Sequence, residues 1–313
     1  MQEYALRGLT ADGRAEDFDS FWWFEPFGYE QKDVIELLPE ALNKAQQVVL
    51  STAIERRANH PLDPAEPEGM LFVWPTRNSG LTLLVERNEG QWALTGCWPF
   101  LTSGSEHDAE IEQIVLAPDR LQAMVKAQIG GELGLTYHDY EFAAHRGLYV
   151  RRVDHRLVLA GIAHAFGMAD TAPIKLSPDA PSFFALSRGG EAVGEDGKIT
   201  ISTTGMAAIF HRPNIAPNAY ELRGPVVQVR KTLNEILDQP VWLVRVTVTR
   251  IGSDNDVDVN LDIAVTATIL GGRPLPEKGD EVEAVVRLQG SIWHPAINAS
   301  GSDAGHPSAG HMS

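Results

Sequence analysis

The chain has 313 residues, which is long enough for about two domains. Its composition, 43% hydrophobic and 8% aromatic, allows each domain to bury a core. Its 42 acidic and 26 basic residues give a formal net charge of −16, which argues against nucleic acid as a partner because phosphate backbones are also negative. The single cysteine, Cys97, excludes an intramolecular disulfide framework, and no apolar stretch reaches the length of a membrane span.

The first twenty residues lack the basic start and apolar core of a signal peptide, so we expect a cytoplasmic protein. After them, the run "FDSFWWFEPFGYE" at 18–30 carries seven aromatic side chains in thirteen positions. Soluble monomers rarely expose so large an apolar patch, so these rings are predicted to cover the apolar face of the helix that follows. The alternative is that Trp22, Trp23 and Phe24 form a binding site for a partner, because exposed aromatic side chains often anchor interfaces.

The next elements predict an antiparallel sheet beside two or more helices. Apolar residues from 33 to 57 recur every three or four positions, which predicts a helix whose main part starts at about Pro39. A second helix is predicted in "APDRLQAMVKAQIGG", between Pro118 and the Gly130–Gly131 pair. Short apolar and aromatic runs predict strands, and one pair flanks a hairpin turn at "NEG". The predicted strands are "GMLFVWP", "LTLLVER", "QWALTGCW", "EIEQIVLA" and "RLVLAGIAHAFG".

Histidines and acids lie between the last two predicted strands. His138, Asp139 and His145 are the candidates for an acid–base or metal site there. Ligands on one helical face lie three or four apart and those on one strand face two apart, and these residues fit neither spacing. Scattered surface or hydrogen-bonded histidines are therefore the favoured interpretation. No catalytic residue is assigned, and these three residues stay candidates only.

The same segment is locally basic in an otherwise acidic chain. Arg146, Arg151 and Arg152 could receive a carboxylate or phosphate, because a guanidinium presents a planar fork of donors. Pairing with neighbouring acids is the alternative that such surface charges usually adopt. If the protein binds an anionic ligand, we expect it here.

From 171 to 218 the chain is rich in proline and glycine and predicts irregular connections with the strands "KITIST" and "GMAAIFH". From 219 to 295 the clearest pattern of the sequence appears, with apolar residues at every second position of long segments. No helix there is long enough to cover an open sheet, so the strands are expected to close into a small barrel. The arrangement resembles the OB-fold architecture, with Gly224 bending its first strand. This resemblance implies no function.

Three motif-like stretches fail on inspection. "EAVGEDGKI" lacks the first glycine and the hydroxyl residue of a phosphate-binding loop, and "SDNDVDVNLD" lacks the glycine and glutamate of a calcium loop. Cys97 has no histidine beside it that could activate the thiol. The sequence therefore predicts no cofactor and no metal.

The sequence thus predicts an α+β fold: an N-terminal antiparallel sheet with two or more helices (1–218), a C-terminal OB-like β-barrel (219–295) and a disordered tail (296–313). The favoured function is a non-catalytic binding or adaptor protein that contacts another protein and neutralises a basic partner. One alternative is a small-molecule hydrolase with a pocket between the two units. The other is single-stranded nucleic acid binding through the barrel.

Overall fold

The computed structural model describes most of the chain between positions 23 and 293. The described ranges are 23–48, 69–76, 79–88, 91–117, 121–145, 148–149, 153–170, 172–178, 194, 197–232, 239–252 and 257–293. The predicted tail at 296–313 lies outside them. None of the helices in these ranges is long and apolar enough to cross a bilayer.

The described chain begins with a 3₁₀ turn, Glu25–Phe27, and helix α1, Gln31–Lys44. Glu30 and Asp33 form a reciprocal capping box that fixes the start of α1. The prediction that the main helix starts near Pro39 is wrong, because this cap starts the helix at Gln31 and Pro39 lies inside it.

A small antiparallel sheet follows, with its four strands in sequence order. The three longer strands of this sheet confirm the three strands and the hairpin predicted from the sequence. Apolar segments bounded by turn residues favour this arrangement. The strands are β1 (Gln46–Gln47), β2 (Gly69–Pro75), β3 (Ser79–Asn88) and β4 (Gln91–Leu101).

The remaining described elements are almost all strands. Nine of them form one large sheet, and two short ones, β9 (Ile174–Leu176) and β10 (Ile199–Ile201), pair with each other. Two single-turn helices, α2 (Phe142–His145) and α3 (Ala267–Leu270), interrupt the series. The nine strands are β5 (Ser105–Leu116), β6 (Ala123–Ile129), β7 (Leu133–Asp139), β8 (Asp154–Met168), β11 (Ala208–His211), β12 (Ala219–Lys231), β13 (Val241–Ile251), β14 (Val257–Thr266) and β15 (Glu281–Ile292).

The large sheet closes on itself twice. One ring of pairings runs β5–β6–β7–β15–β8 and returns to β5, and the other runs β12–β13–β14–β8–β15 and returns to β12. Both rings contain β8 and β15. We call them the first and the second barrel.

The predicted fold class is therefore wrong. The described structure is dominated by strands, and the segment predicted as a second helix is strand β6. The strands after position 218 do not close by themselves as an OB-like module, because β8 supplies the pairing partner of both β14 and β15. An α+β unit followed by a small separate barrel does not describe this arrangement.

The two barrels are built as an internal repeat. The series β5–β6–β7–α2–β8 and β12–β13–β14–α3–β15 have the same order and the same pairing directions. In each, the third strand runs parallel to the last strand of the other series. The irregularities also coincide, because β5 shifts register between Ile111 and Gln113 and β12 shifts between Val226 and Gln228. Each series thus lends its last strand to the other barrel.

Two apolar cores hold the molecule together. The first fills the two barrels with side chains such as Val125, Leu159, Val244 and Val286. The second lies between the outer face of the shared strands and the N-terminal part, where Ala160 and Ile162 join the small sheet. The aromatic run contributes Trp23, Phe24 and Phe27 to this second core, which also contains Val34 and Ala41 of α1.

Candidate functional site

The sequence candidates His138 and Asp139 end strand β7, which pairs with β6 on one side and with β15 on the other. Only 2% of His138 and 0% of Asp139 is exposed. Because they are neighbours on one strand, their side chains point to opposite faces of the sheet. They therefore take part in two separate arrangements.

Asp139 belongs to a hydrogen-bonded network with two tyrosines. Its Oδ2 accepts a hydrogen bond from the Tyr149 hydroxyl at 2.6 Å, and its Oδ1 accepts one from the backbone N–H of Glu141 at 3.0 Å. The hydroxyls of Tyr137 and Tyr149 lie 3.1 Å apart. Burial, reinforced by the charge of Asp139, raises the pKa of both tyrosines well above the usual value, so they stay protonated and can donate. The network fixes the turn from β7 into α2.

His138 faces the N-terminal part of the molecule. Its Nε2 lies 2.9 Å from Oε1 of Gln122, and its ring packs between Trp23 and Trp98 at centroid distances of 5.6 and 5.4 Å. Burial lowers the pKa of His138 to about 3, with the charge of Arg287 adding to the decrease and Asp139 opposing it. The ring is neutral at pH 7. Because an amide oxygen only accepts, Nε2 carries the proton.

Charged and polar side chains of the shared strands β8 and β15 also lie at the boundary with the N-terminal part, near His138. Arg287 is 4% exposed, and its guanidinium lies over the ring of Trp23, 4.5 Å from the centroid. Gln289 is fully buried and donates from Nε2 to the carbonyl of Pro99 in β4. Burial, together with the charge of Arg287, also lowers the pKa of His164, to about 4. We call His138, Gln122, Arg287, Gln289, Trp23 and Trp98 the polar interface.

The polar interface supplies a fixed positive charge and hydrogen-bonding groups, but its histidine, His138, is a poor base at neutral pH. A general base works best with a pKa near the operating pH, and a pKa of about 3 lies far below that. The indole N–H of Trp98 and Oε1 of Gln289 make no hydrogen bond to any described residue. Within the described ranges, no three His, Cys, Asp or Glu side chains converge to hold a metal ion.

Of the other predicted site residues, some are buried in the second core and the others lie wholly or partly outside the described residues. Trp23 and Phe24 are each 1% exposed and lie in the second core. His145 ends the short helix α2, and its side chain lies outside the described residues. Trp22, Arg146, Arg151 and Arg152 also lie outside them. Cys97 is buried, and burial raises the pKa of its thiol to about 12, so the thiolate nucleophile is not formed at neutral pH.

Sequence reasoning missed an arginine pair on the outer face of the second barrel. The carboxylate of Asp262 is 1% exposed and accepts hydrogen bonds from two guanidinium groups. Arg245 donates from Nε to Oδ1 at 2.7 Å and from Nη2 to Oδ2 at 3.0 Å, while Arg230 donates from Nη2 to Oδ2 at 2.9 Å. The available signal was opposite charge at outward positions of adjacent predicted strands.

Comparison of the chain with protein-family models, curated proteins and solved structures gives no significant match.

Proposed function

We propose that this protein is a non-catalytic binding protein that acts through contacts with another protein. The observation that carries the proposal is the position of β11. Among the described strands of the nine-stranded sheet, β11 is the one that pairs on a single side, with β12. An unpaired strand edge presents backbone donors and acceptors that can pair with an additional strand.

Apolar side chains surround this edge. Phe210 of β11 is 56% exposed, although its neighbour Ile209 packs against the barrel core. Ile215, in the turn after β11, is 57% exposed, and Met206, just before it, is 36% exposed. Large exposed apolar side chains next to a strand edge with which no described strand pairs favour a macromolecular contact, because aromatic anchors carry much of the energy at protein interfaces.

The partner that fits this surface is a protein segment in extended conformation. Backbone pairing with β11 would supply affinity without demanding one sequence, and an apolar side chain of the segment would pack on Phe210. The net charge of −16 favours a segment that also carries Lys or Arg, because the field of the whole molecule attracts it during encounter.

The enclosed state of the acid–base candidates supports a binding role over hydrolysis. His138 and Asp139 face opposite sides of β7, and neither reaches solvent. The side chain that reaches His138 Nε2 is Gln122, and the hydroxyl that reaches Asp139 is that of Tyr149. A hydrolase would instead need a base beside a substrate-sized opening.

The test uses purified protein and two matched variants. Polypeptides retained from a native lysate are identified, purified and titrated against the wild type, F210E and W92E. Trp92 is the control because it is an aromatic residue with similar exposure, 54%, on the small sheet. We expect a stoichiometric complex that F210E weakens at least about tenfold and W92E leaves unchanged.

Equal weakening by both variants would contradict the role of β11. If no polypeptide forms a stoichiometric complex with the wild type, the proposed function is wrong. Both substituted residues are exposed, so the unfolding midpoint of each variant should match that of the wild type and exclude misfolding as the cause.

A further inference from the structure

The arginine pair of Arg230 and Arg245 carries more positive charge than its buried partner neutralises. Asp262 contributes one negative charge, and the two guanidinium groups contribute two positive charges. Both oxygens of the carboxylate accept hydrogen bonds from the arginines: Oδ1 accepts from Arg245, and Oδ2 accepts from Arg245 and Arg230. The cluster of these three side chains therefore has a net charge of +1.

Both arginines keep donor groups available at the surface. A guanidinium has five N–H donors, of which Arg245 uses two and Arg230 uses one toward Asp262. Their side chains are 34% and 43% exposed. Neither makes a further hydrogen bond to any residue that the structure describes. The buried carboxylate of Asp262 thus holds the guanidinium groups of Arg230 and Arg245 next to each other at the protein surface.

The internal repeat indicates that the barrel does not need this arrangement to fold. The coinciding register shifts align Gln113 with Gln228, so their partners Lys126 and Arg245 are equivalent. The same alignment makes Thr136, the partner of Lys126, equivalent to Asp262. Val115 takes the place of Arg230, two positions after the aligned glutamines. The first barrel forms the same strands with a lysine, a threonine and a valine.

The groups around the arginine pair leave its charge in place. His107 lies close by, and burial lowers its pKa, so the ring is neutral at pH 7 and adds no charge. Asp258 pairs with Arg250 at 2.9 Å, and Asp108 lies 3.5 Å from Arg156. Thr247 donates its hydroxyl to Asn260 at 2.8 Å across the same pair of strands. Among the described acids, Asp258 therefore has Arg250 as its basic partner, and Asp108 shares Arg156 with Glu106.

We propose that Arg230 and Arg245 bind the phosphate group of a small molecule on the outer face of β12 and β13. Two guanidinium forks match the several oxygens of a phosphate, and these charge-assisted hydrogen bonds are stronger than neutral ones. The overall charge of −16 opposes the approach of an anion, but at contact the two guanidinium groups dominate, because exposed charges farther away than about 8 Å are largely screened at physiological ionic strength. This site is independent of the proposed contact at β11.

Titration with inorganic phosphate tests the proposal. The Nε–H resonances of arginine are followed by NMR at constant ionic strength, for the wild type, R230Q, R230K and R212Q. Arg212 is the control, because it is an exposed arginine paired with Glu221 and its replacement removes the same charge. We expect saturable shifts at Arg245, weakened at least about tenfold in R230Q and unchanged in R212Q. R230K should fall between them because it keeps the charge and loses the fork.

Acetate is titrated in parallel to separate phosphate from carboxylate recognition. Tighter binding of acetate than of phosphate would overturn the assignment to a phosphate group. Non-saturable shifts in the wild type, or equal weakening by R230Q and R212Q, would show general charge attraction and would overturn the site itself. The structure of R230Q is checked by its amide spectrum, which should change only around β12 and β13.

Discussion

His138 is enclosed as a neutral ring, so its protonation is coupled to folding. In the unfolded chain it takes up a proton near pH 6.5, whereas burial lowers the pKa of the folded ring to about 3. Between these values the unfolded state binds more protons, so the free energy of unfolding rises with pH. The stability is complete above pH 6.5 and is lost as the pH falls toward 3.

Replacing His138 by glutamine should reduce this pH dependence, because an amide can still meet Gln122 but does not titrate. Over pH 6.5 to 4 we expect the free energy of unfolding of the wild type to fall by about 3 kcal/mol more than that of H138Q. Urea denaturation at a series of pH values measures the difference. His164 adds its own contribution in both proteins. Identical pH profiles of the two proteins would contradict the buried neutral state.

Two tryptophans offer a contrast at the same scale. Trp23 is 1% exposed between Arg287 and His138, whereas Trp92 is 54% exposed. Trp23→Ala should lower the free energy of unfolding by about 3–5 kcal/mol, because it leaves a cavity and removes the packing of a buried cation. Trp92→Ala should change it by less than about 0.5 kcal/mol. Chemical denaturation of both variants decides whether the aromatic run is core.

At the scale of elements, strand β12 changes partners along its length. It pairs with β15 from Ala219 to Pro225 and with β13 from Val226 onward. Gly224 stands at the crossing, where a Cβ atom would lie 1.8 Å from the carbonyl oxygen of Thr247. The close approach of two backbones at the barrel corner therefore requires glycine.

Gly224→Ala should destabilise the protein by about 3 kcal/mol, because the methyl group meets backbone that cannot rotate away. Gly167→Ala is the control, since the nearest atom to its added Cβ is a flexible guanidinium nitrogen of Arg273 at 3.1 Å. Unfolding midpoints in urea compare the two. A similar small loss in both variants would show that the corner adapts.

Strand β6 was harder to predict from the sequence than the other strands, and its segment was wrongly predicted as a helix. Its inward residues are Ala123, Val125, Ala127 and Ile129, which alternate as a strand requires. Two of the four are alanines, whose weak hydrophobic signal hides the alternation. The larger residues Leu121, Met124 and Val125 fit helical spacing instead. Short segments of this kind are decided by their partners, here β5 and β7.

The polar interface was predictable only in part. Local spacing already indicated that His138 and Asp139 do not share a face, and the structure places them on opposite sides of β7. The partners of His138 come from other segments, namely Gln122, Trp23 and Trp98. Contacts between distant segments depend on sheet register, which hydrophobic alternation alone does not reveal.

At the scale of the whole molecule, the two barrels depend on each other. Strands β8 and β15 belong to both rings, so neither barrel keeps all its hydrogen bonds if the other opens. A division into independently stable parts before and after position 218 would separate β14 from β8 and would remove β15 from the first barrel. The strand-rich part of the molecule should therefore unfold as one cooperative unit.

Hydrogen exchange tests this coupling. Amides in β6 of the first barrel and β13 of the second should exchange with the same, maximal free energy, because both open only in global unfolding. A chain truncated before Glu281 should lose protection in β6 although β6 itself is intact. Persistent protection of β6 in the truncated chain would show that the first barrel is stable without β15.

The pairing of β15 with β7 of the first barrel also has a consequence for biosynthesis. The third strand of that barrel ends at Asp139 and must wait for Gly290 before it gains its parallel neighbour. Ribosomes add roughly 5–20 residues per second, so β5 to β7 spend several seconds outside the exit tunnel with an open seam. Such a high contact order predicts slow folding. The nascent chain is therefore accessible to chaperones until β15 pairs with β7 and closes the first barrel.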